Sequence, residues 1–228
     1  MFSNHVLFLK TKAIFDVARE RWVVLFDFSE TSCSNFLTES LDSTKELKSL
    51  EDTLTFGSNW ENVTKFWIKM VMSRLVYLLI GQLQGRVETF IDLVLLQSDR
   101  REQKKVADYL QTKGLCTWEN LLKLTESFAN KFPNFIFALD EANILANHCE
   151  KCFLNQERND YRSLFSVVTN LFTRLGFSYI VAGTYLKIAS ITLLGSSILK
   201  FAEPNKFAVV PISSFKWKIK IQNDKFIA

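Results

Sequence analysis

Glycine and proline are scarce, seven and three residues in 228. No Gly/Ser linker is visible, and mostly regular secondary structure with few long flexible loops is the expectation. Cysteine is also sparse, and the irregular spacing of Cys33, Cys116, Cys149 and Cys152 excludes a disulfide framework. Such usage suits a reducing compartment, the cytosol or nucleus. An excess of one charge is lacking too. The 28 basic and 24 acidic residues are dispersed, so electrostatics gives no case for nucleic acid. The start, Met1 to Lys12, has too short an apolar stretch for a secretory signal. The most apolar later segment, Phe66 to Leu83, is broken by Lys69 and Arg74. Each would cost roughly 2.5 to 3.5 kcal/mol at a bilayer centre, which argues against a membrane span.

What is abundant is core material. Hydrophobic residues make up 48% of the chain and phenylalanine alone numbers 21, ample for the packed core of one large domain or one and a half small ones, so disorder is not the default expectation. His5 to Leu9 (HVLFL) reads as a strand and Ala13 to Arg21 as a helix. Trp22 to Phe28 (WVVLFDF) reads as a strand buried on both faces, as in a parallel sheet. The chain thus opens β-α-β. Residues 29–61 are polar and read as a loop or insertion. Apolar spacings of three and four predict helices over Val63 to Gln82, Val87 to Gln97, Gln103 to Gln111 and Thr117 to Ala129. Thr117 is the expected N-cap of the last, Asn120 falls short of a full capping box, and Lys131-Phe132-Pro133 stops it.

Asn134 to Leu139 (NFIFAL) is an apolar strand ending abruptly in Asp140-Glu141. Tyr161 to Leu175 then reads as a one-faced helix with Gly176 as C-cap. Ser178 to Ala182 reads as a strand running into Gly183-Thr184, Tyr185 to Leu194 as a helix, and Phe207 to Ile212 as a fifth strand. Strands alternating with helices predict an α/β fold, an open, mostly parallel sheet with helices on both faces. The core is placed at residues 1–212, and residues 213–228 form a basic tail or edge strand.

An apolar strand ending in Asp-Glu has the chemistry a nucleotide-triphosphatase needs beside its phosphate site. The Asp holds magnesium or a water bound to it, and the Glu polarises the attacking water. Asp140 and Glu141 suit those two roles. The next strand ends at Thr184, where a polar side chain can sense a terminal phosphate. A phosphate loop would read G-x-x-x-x-G-K-[ST], its glycines letting backbone N–H groups wrap the phosphates. Here only the end is present, Lys10-Thr11, between the first strand and the first helix.

On these residues the chain resembles the P-loop NTPase domain of Crinkler-type effector proteins of fungi and oomycetes. The resemblance rests on Lys10-Thr11 and WVVLFDF, on the aromatic-rich middle helices, on FIFALDEANIL (Phe135 to Leu145), and on RSLFSVVTNLFTRLGFSYIVAGTYL (Arg162 to Leu186). It implies Mg-ATP as cofactor, with magnesium at Asp140 joined by Thr11, water activation by Glu141, and phosphate contacts from Lys10, Thr11 and Thr184. It departs at the loop, because Leu9 passes straight to Lys10 without the family's glycines. The family's amino-terminal header and nuclease-like carboxy-terminal domain do not fit in this length, so an isolated or truncated NTPase piece is expected.

Other constellations carry less. His148, Cys149 and Cys152 supply three zinc ligands where a structural site wants four, so no zinc is expected. Lys216, Lys218 and Lys220 alternate with apolar residues as on a protected edge strand. Asn62-Val63-Thr64 matches a glycosylation acceptor by chance. Trp60, Phe66, Trp67 and Tyr77 have the spacing of a core helix face rather than a base-stacking platform. Two function classes remain: a degenerate module binding Mg-ATP, at best a weak ATPase, and a pseudo-NTPase scaffold for an unknown protein partner. A third possibility is an incomplete gene product whose exposed sheet edge promotes aggregation.

Overall fold

The computed structural model describes residues 14–28, 60–142, 144–145, 153–155, 160–162 and 164–182. The expected strands at His5 to Leu9 and Phe207 to Ile212, the helix at Tyr185 to Leu194 and the tail after residue 212 lie outside them. So do Lys10, Thr11, Thr184 and the His148-Cys149-Cys152 cluster, and nearly all of the polar stretch over 29–61. The described chain begins with a helical turn over residues 14–17 and a further turn over 18–20, shorter than the helix expected to Arg21.

The elements run β1 (Val23–Asp27), α1 (Trp60–Leu83), α2 (Phe90–Leu96), α3 (Arg100–Thr112), α4 (Trp118–Lys131), β2 (Ile136–Asp140), β3 (Phe153–Asn155), β4 (Asp160–Arg162), α5 (Leu164–Leu175) and β5 (Tyr179–Val181). β1, β2 and β5 form a parallel sheet in the order β1-β2-β5, while β3 and β4 make a separate antiparallel pair. The fold is α/β, with a small three-stranded parallel sheet and helices.

Pleating sorts the strand residues into two cores. Val24, Phe26, Phe28, Phe137 and Leu139 face the larger one, built with α1, α3, α4 and α5. Val23, Ile136, Ala138 and Ala182 face the smaller, which is completed by Ile14, Ala18 and Val94. Burial on both faces explains why β2 is apolar throughout rather than alternating. Aromatic rings fill the larger core: Phe137 stacks on Phe172 with centroids 4.4 Å apart, and Phe26 meets Trp67, Phe137 and Phe172. Each such pair adds about 0.5–1.5 kcal/mol beyond its area burial.

α1 is apolar around most of its circumference because it packs against α3, α4 and α5. Its span Val63–Leu83 is long and apolar enough to cross a bilayer, yet 61% of an apolar 18-residue stretch of it is buried inside the fold. Trp67 and Tyr77 are buried and Phe66 is half-buried against the core, so these three members of the aromatic stripe are packing residues. Arg74 is buried too, its guanidinium 4.3 Å from the centroid of the Phe26 ring.

Several chain signals act as read. The Thr117 hydroxyl accepts the Asn120 N–H at 3.2 Å, and Asn120 Nδ2 turns to Leu115 O instead of closing a box. α4 then ends at Lys131, and Asn134 takes a left-handed φ of 57°, which Asn tolerates, before β2 begins. Gly176 follows α5 at φ 74°, its N–H donating to Thr173 O at 3.0 Å. Several boundaries move. α1 and α3 begin earlier, at Trp60 and Arg100 in place of Val63 and Gln103, and α4 runs on to Lys131. The helix expected from Val87 starts at Phe90, where Thr89 and Asp92 form a full capping box. The helix expected from Tyr161 starts at Leu164, because Tyr161 and Arg162 pair in β4 with β3.

Candidate functional site

β2 is apolar through Leu139 because it lies in the middle of the described sheet, so its first polar residue emerges at its carboxyl end. There Asp140 and Glu141 sit between both neighbouring strands. Phe28 N–H donates to Asp140 O at 3.2 Å on the β1 side, and Ala142 N–H donates to Ala182 O at 2.9 Å on the β5 side. The Glu141 N–H donates to Asp140 Oδ1 at 3.0 Å, and Ile144 N–H donates to Glu141 O at 2.9 Å as the chain turns away. Glu141 itself is left-handed, φ 50°. That conformation is uncommon for any residue but glycine, Asn or Asp.

Both acidic residues are deeply placed, Asp140 at 3% and Glu141 at 6% exposure, and neither is free of partners. Successive buried carboxylates are costly unless engaged, so their placement is fixed by surrounding structure rather than by solvent. A third carboxylate shares this end of the sheet. Asp27 is the last residue of β1 and lies in register with Asp140, with its side chain on the same face of the pleat. Asp27 does not stand out in the sequence, because it lies inside the apolar run Trp22 to Phe28. The signal was there in the matching pattern, since VVLFD and IFALD are both apolar strands that end on Asp.

Of the expected site residues, Asp140 and Glu141 are adjacent at the end of the central strand; Lys10, Thr11 and Thr184 fall outside the described residues. Among the described residues no group of three or more His, Cys, Asp or Glu side chains converges as a complete metal cage. Mg²⁺ does not require one. It is commonly held by one or two carboxylates, waters and substrate phosphates, and Asp140 is a hard oxygen donor of that kind.

A polar centre that the sequence reading missed lies at the opposite edge of β1. Gln97, at the end of α2, is 4% exposed and bonds the strand with both ends of its carboxamide. Nothing local marks it, because its partners lie more than seventy residues earlier. No protein-family model, curated protein or solved structure matches this chain.

Proposed function

We propose that this chain is a degenerate P-loop-type nucleotide-triphosphatase module, Crinkler-like in descent, that binds Mg-ATP with little or no hydrolysis. The observation that carries the reading is the buried Asp140-Glu141 pair at the carboxyl end of the central strand of a parallel sheet. Ligands of open α/β sheets bind in the crevice at that end. In this reading the finer architecture is an open P-loop-like sheet. Asp140 holds magnesium directly or through water, with Thr11 as a further oxygen. Lys10 neutralises phosphate charge, Thr184 contacts the terminal phosphate, and Glu141 orients the water. Bound Mg²⁺ supplies charge neutralisation on the phosphates. Hydrolysis is demoted because phosphoryl transfer depends on positioning and electrostatics that a glycine loop provides.

Isothermal titration of the full chain with ATP, with and without magnesium, tests this. Binding should require magnesium and weaken at least tenfold in Asp140→Asn, whose shape is conserved; no binding at millimolar Mg-ATP refutes the proposal.

One observation favours a second reading, a pseudo-NTPase scaffold that meets a protein partner without nucleotide. The first glycine of the sequence is Gly57, so no glycine precedes Lys10. Each lost charge-assisted hydrogen bond to phosphate removes about 1.5–3 kcal/mol. Under this reading the sparse, irregularly spaced cysteines suit an encounter in the cytosol or nucleus.

A further inference from the structure

Backbone groups of β1 alternate in direction. Trp22 O accepts from Ile136 N–H at 2.9 Å and Phe28 N–H reaches Asp140 O, so the even-numbered groups face β2. Val23, Leu25 and Asp27 therefore turn their N–H and C=O outward, along an edge where β1 has no strand neighbour among the described residues. The Gln97 side chain fills the middle of that edge. Its Oε1 accepts the Leu25 N–H at 2.7 Å, and its Nε2 donates to Val23 O at 2.8 Å. These are the two groups that a residue opposite Val24 would engage in a further parallel strand. The same Nε2 also donates to Leu93 O at 2.9 Å, anchoring the carboxamide to its own helix. The Gln97 carbonyl in turn accepts from Nε2 of the buried Gln103 at 2.8 Å, so the first turn of α3 backs the plug.

We propose that Gln97 is a side-chain plug that stops the outer edge of β1 from pairing with the same edge of a second copy of this chain. The edge it covers has the composition that self-pairs most readily. Val23 to Phe28 (VVLFDF) is β-branched and aromatic, contains no proline or glycine, and carries one charge. Two such edges meet about a two-fold axis, each copy offering the other the same Leu25 N–H and Val23 C=O. Gln97 satisfies those groups internally, and α2 screens the strand. Gln97→Leu keeps the bulk and deletes the amide.

The experiment compares wild type and Gln97→Leu, as full chains, by sedimentation and by amide hydrogen exchange over a wide concentration range. Gln97→Leu should self-associate at least tenfold more tightly. Its Leu25 amide should exchange at least a hundredfold faster than in wild type at the lowest concentration and regain protection as copies pair. The Phe26 amide, which faces β2, should stay protected throughout. Association no tighter than wild type, or a Leu25 amide still protected in the dilute variant, overturns the proposal. So does association accompanied by loss of Phe26 protection, which reports unfolding instead of edge pairing. Should the variant not fold, the wild type still decides. Its Leu25 amide should open together with the α2 amides and ahead of Phe26, and an unprotected Leu25 amide refutes the plug.

Discussion

Replacing Glu141 separates what the backbone wants at the end of β2 from what the carboxylate supplies. Glu141 holds φ 50° at 6% exposure, one residue beyond the central strand. An L-residue in the left-handed region costs about 1–2 kcal/mol because Cβ crowds the following carbonyl. Glycine removes that cost and pays back about 0.5–1 kcal/mol in backbone entropy. Glu141→Ala keeps the Cβ and loses the carboxylate, whereas Glu141→Gly loses both, so the difference between these two variants isolates the backbone. Glu141→Gly should be about 1 kcal/mol more stable than Glu141→Ala, or roughly 2–4 °C in Tm for a domain of this size. Denaturant unfolding followed by circular dichroism measures it, alongside Mg-ATP titration of both variants. If the carboxylate serves the ligand, Glu141→Gly unfolds within about 1 kcal/mol of wild type. Equal stability of the Gly and Ala variants would refute the left-handed geometry. A Gly variant weaker than wild type by more than about 3 kcal/mol would show that Glu141 is a structural anchor.

Burial, ahead of the Asp99 carboxylate, pushes the Tyr77 hydroxyl up to about 12, with Arg86 acting against it. The folded value lies above the ordinary 10.0, so its stabilisation is complete below pH 10 and lost as pH rises towards about 12. Urea midpoints of wild type and Tyr77→Phe should therefore diverge in slope across that window, and parallel curves would count against it. A Cβ on Gly81 would run into Leu96 Cδ2, where α1 meets α2. Gly81→Val should destabilise by about 1–3 kcal/mol, and by clearly less in a Leu96→Ala background; additive costs in the double-mutant cycle would deny the contact.

What could be read in advance follows the range of the interactions. α1, α3, α4 and α5 were legible because their apolar spacing is a local property, and Thr117 and Gly176 cap with groups a few residues away. β2 was legible because burial on two faces leaves an unbroken apolar run ending on Asp140. Tyr161 continues the spacing of Leu164, Phe165 and Val168, so periodicity drew it into the helix. Pairing with β3 prevailed, and spacing carries no trace of a partner strand. The same limit hid Asp27 and Gln97. Asp27 matters through its register with Asp140, more than a hundred residues on, and Gln97 reads locally as a polar helix end facing water.

These two unread residues bear on the acidic pair together. Gln97 closes the outer side of β1 with side-chain bonds, which leaves β5 as the side on which the described parallel sheet can be extended. The nucleotide reading therefore expects a phosphate loop carried by a further parallel strand to enter across β5, past Ala182. Asp27 stands on the other flank, in register with Asp140. On the nucleotide reading proposed above, a second carboxylate near Asp140 favours a cation between it and the phosphates. The proposed nucleotide reading therefore expects binding to depend on magnesium. This is the feature that divides the nucleotide reading from the scaffold reading, because a protein interface elsewhere on the fold has no reason to follow magnesium.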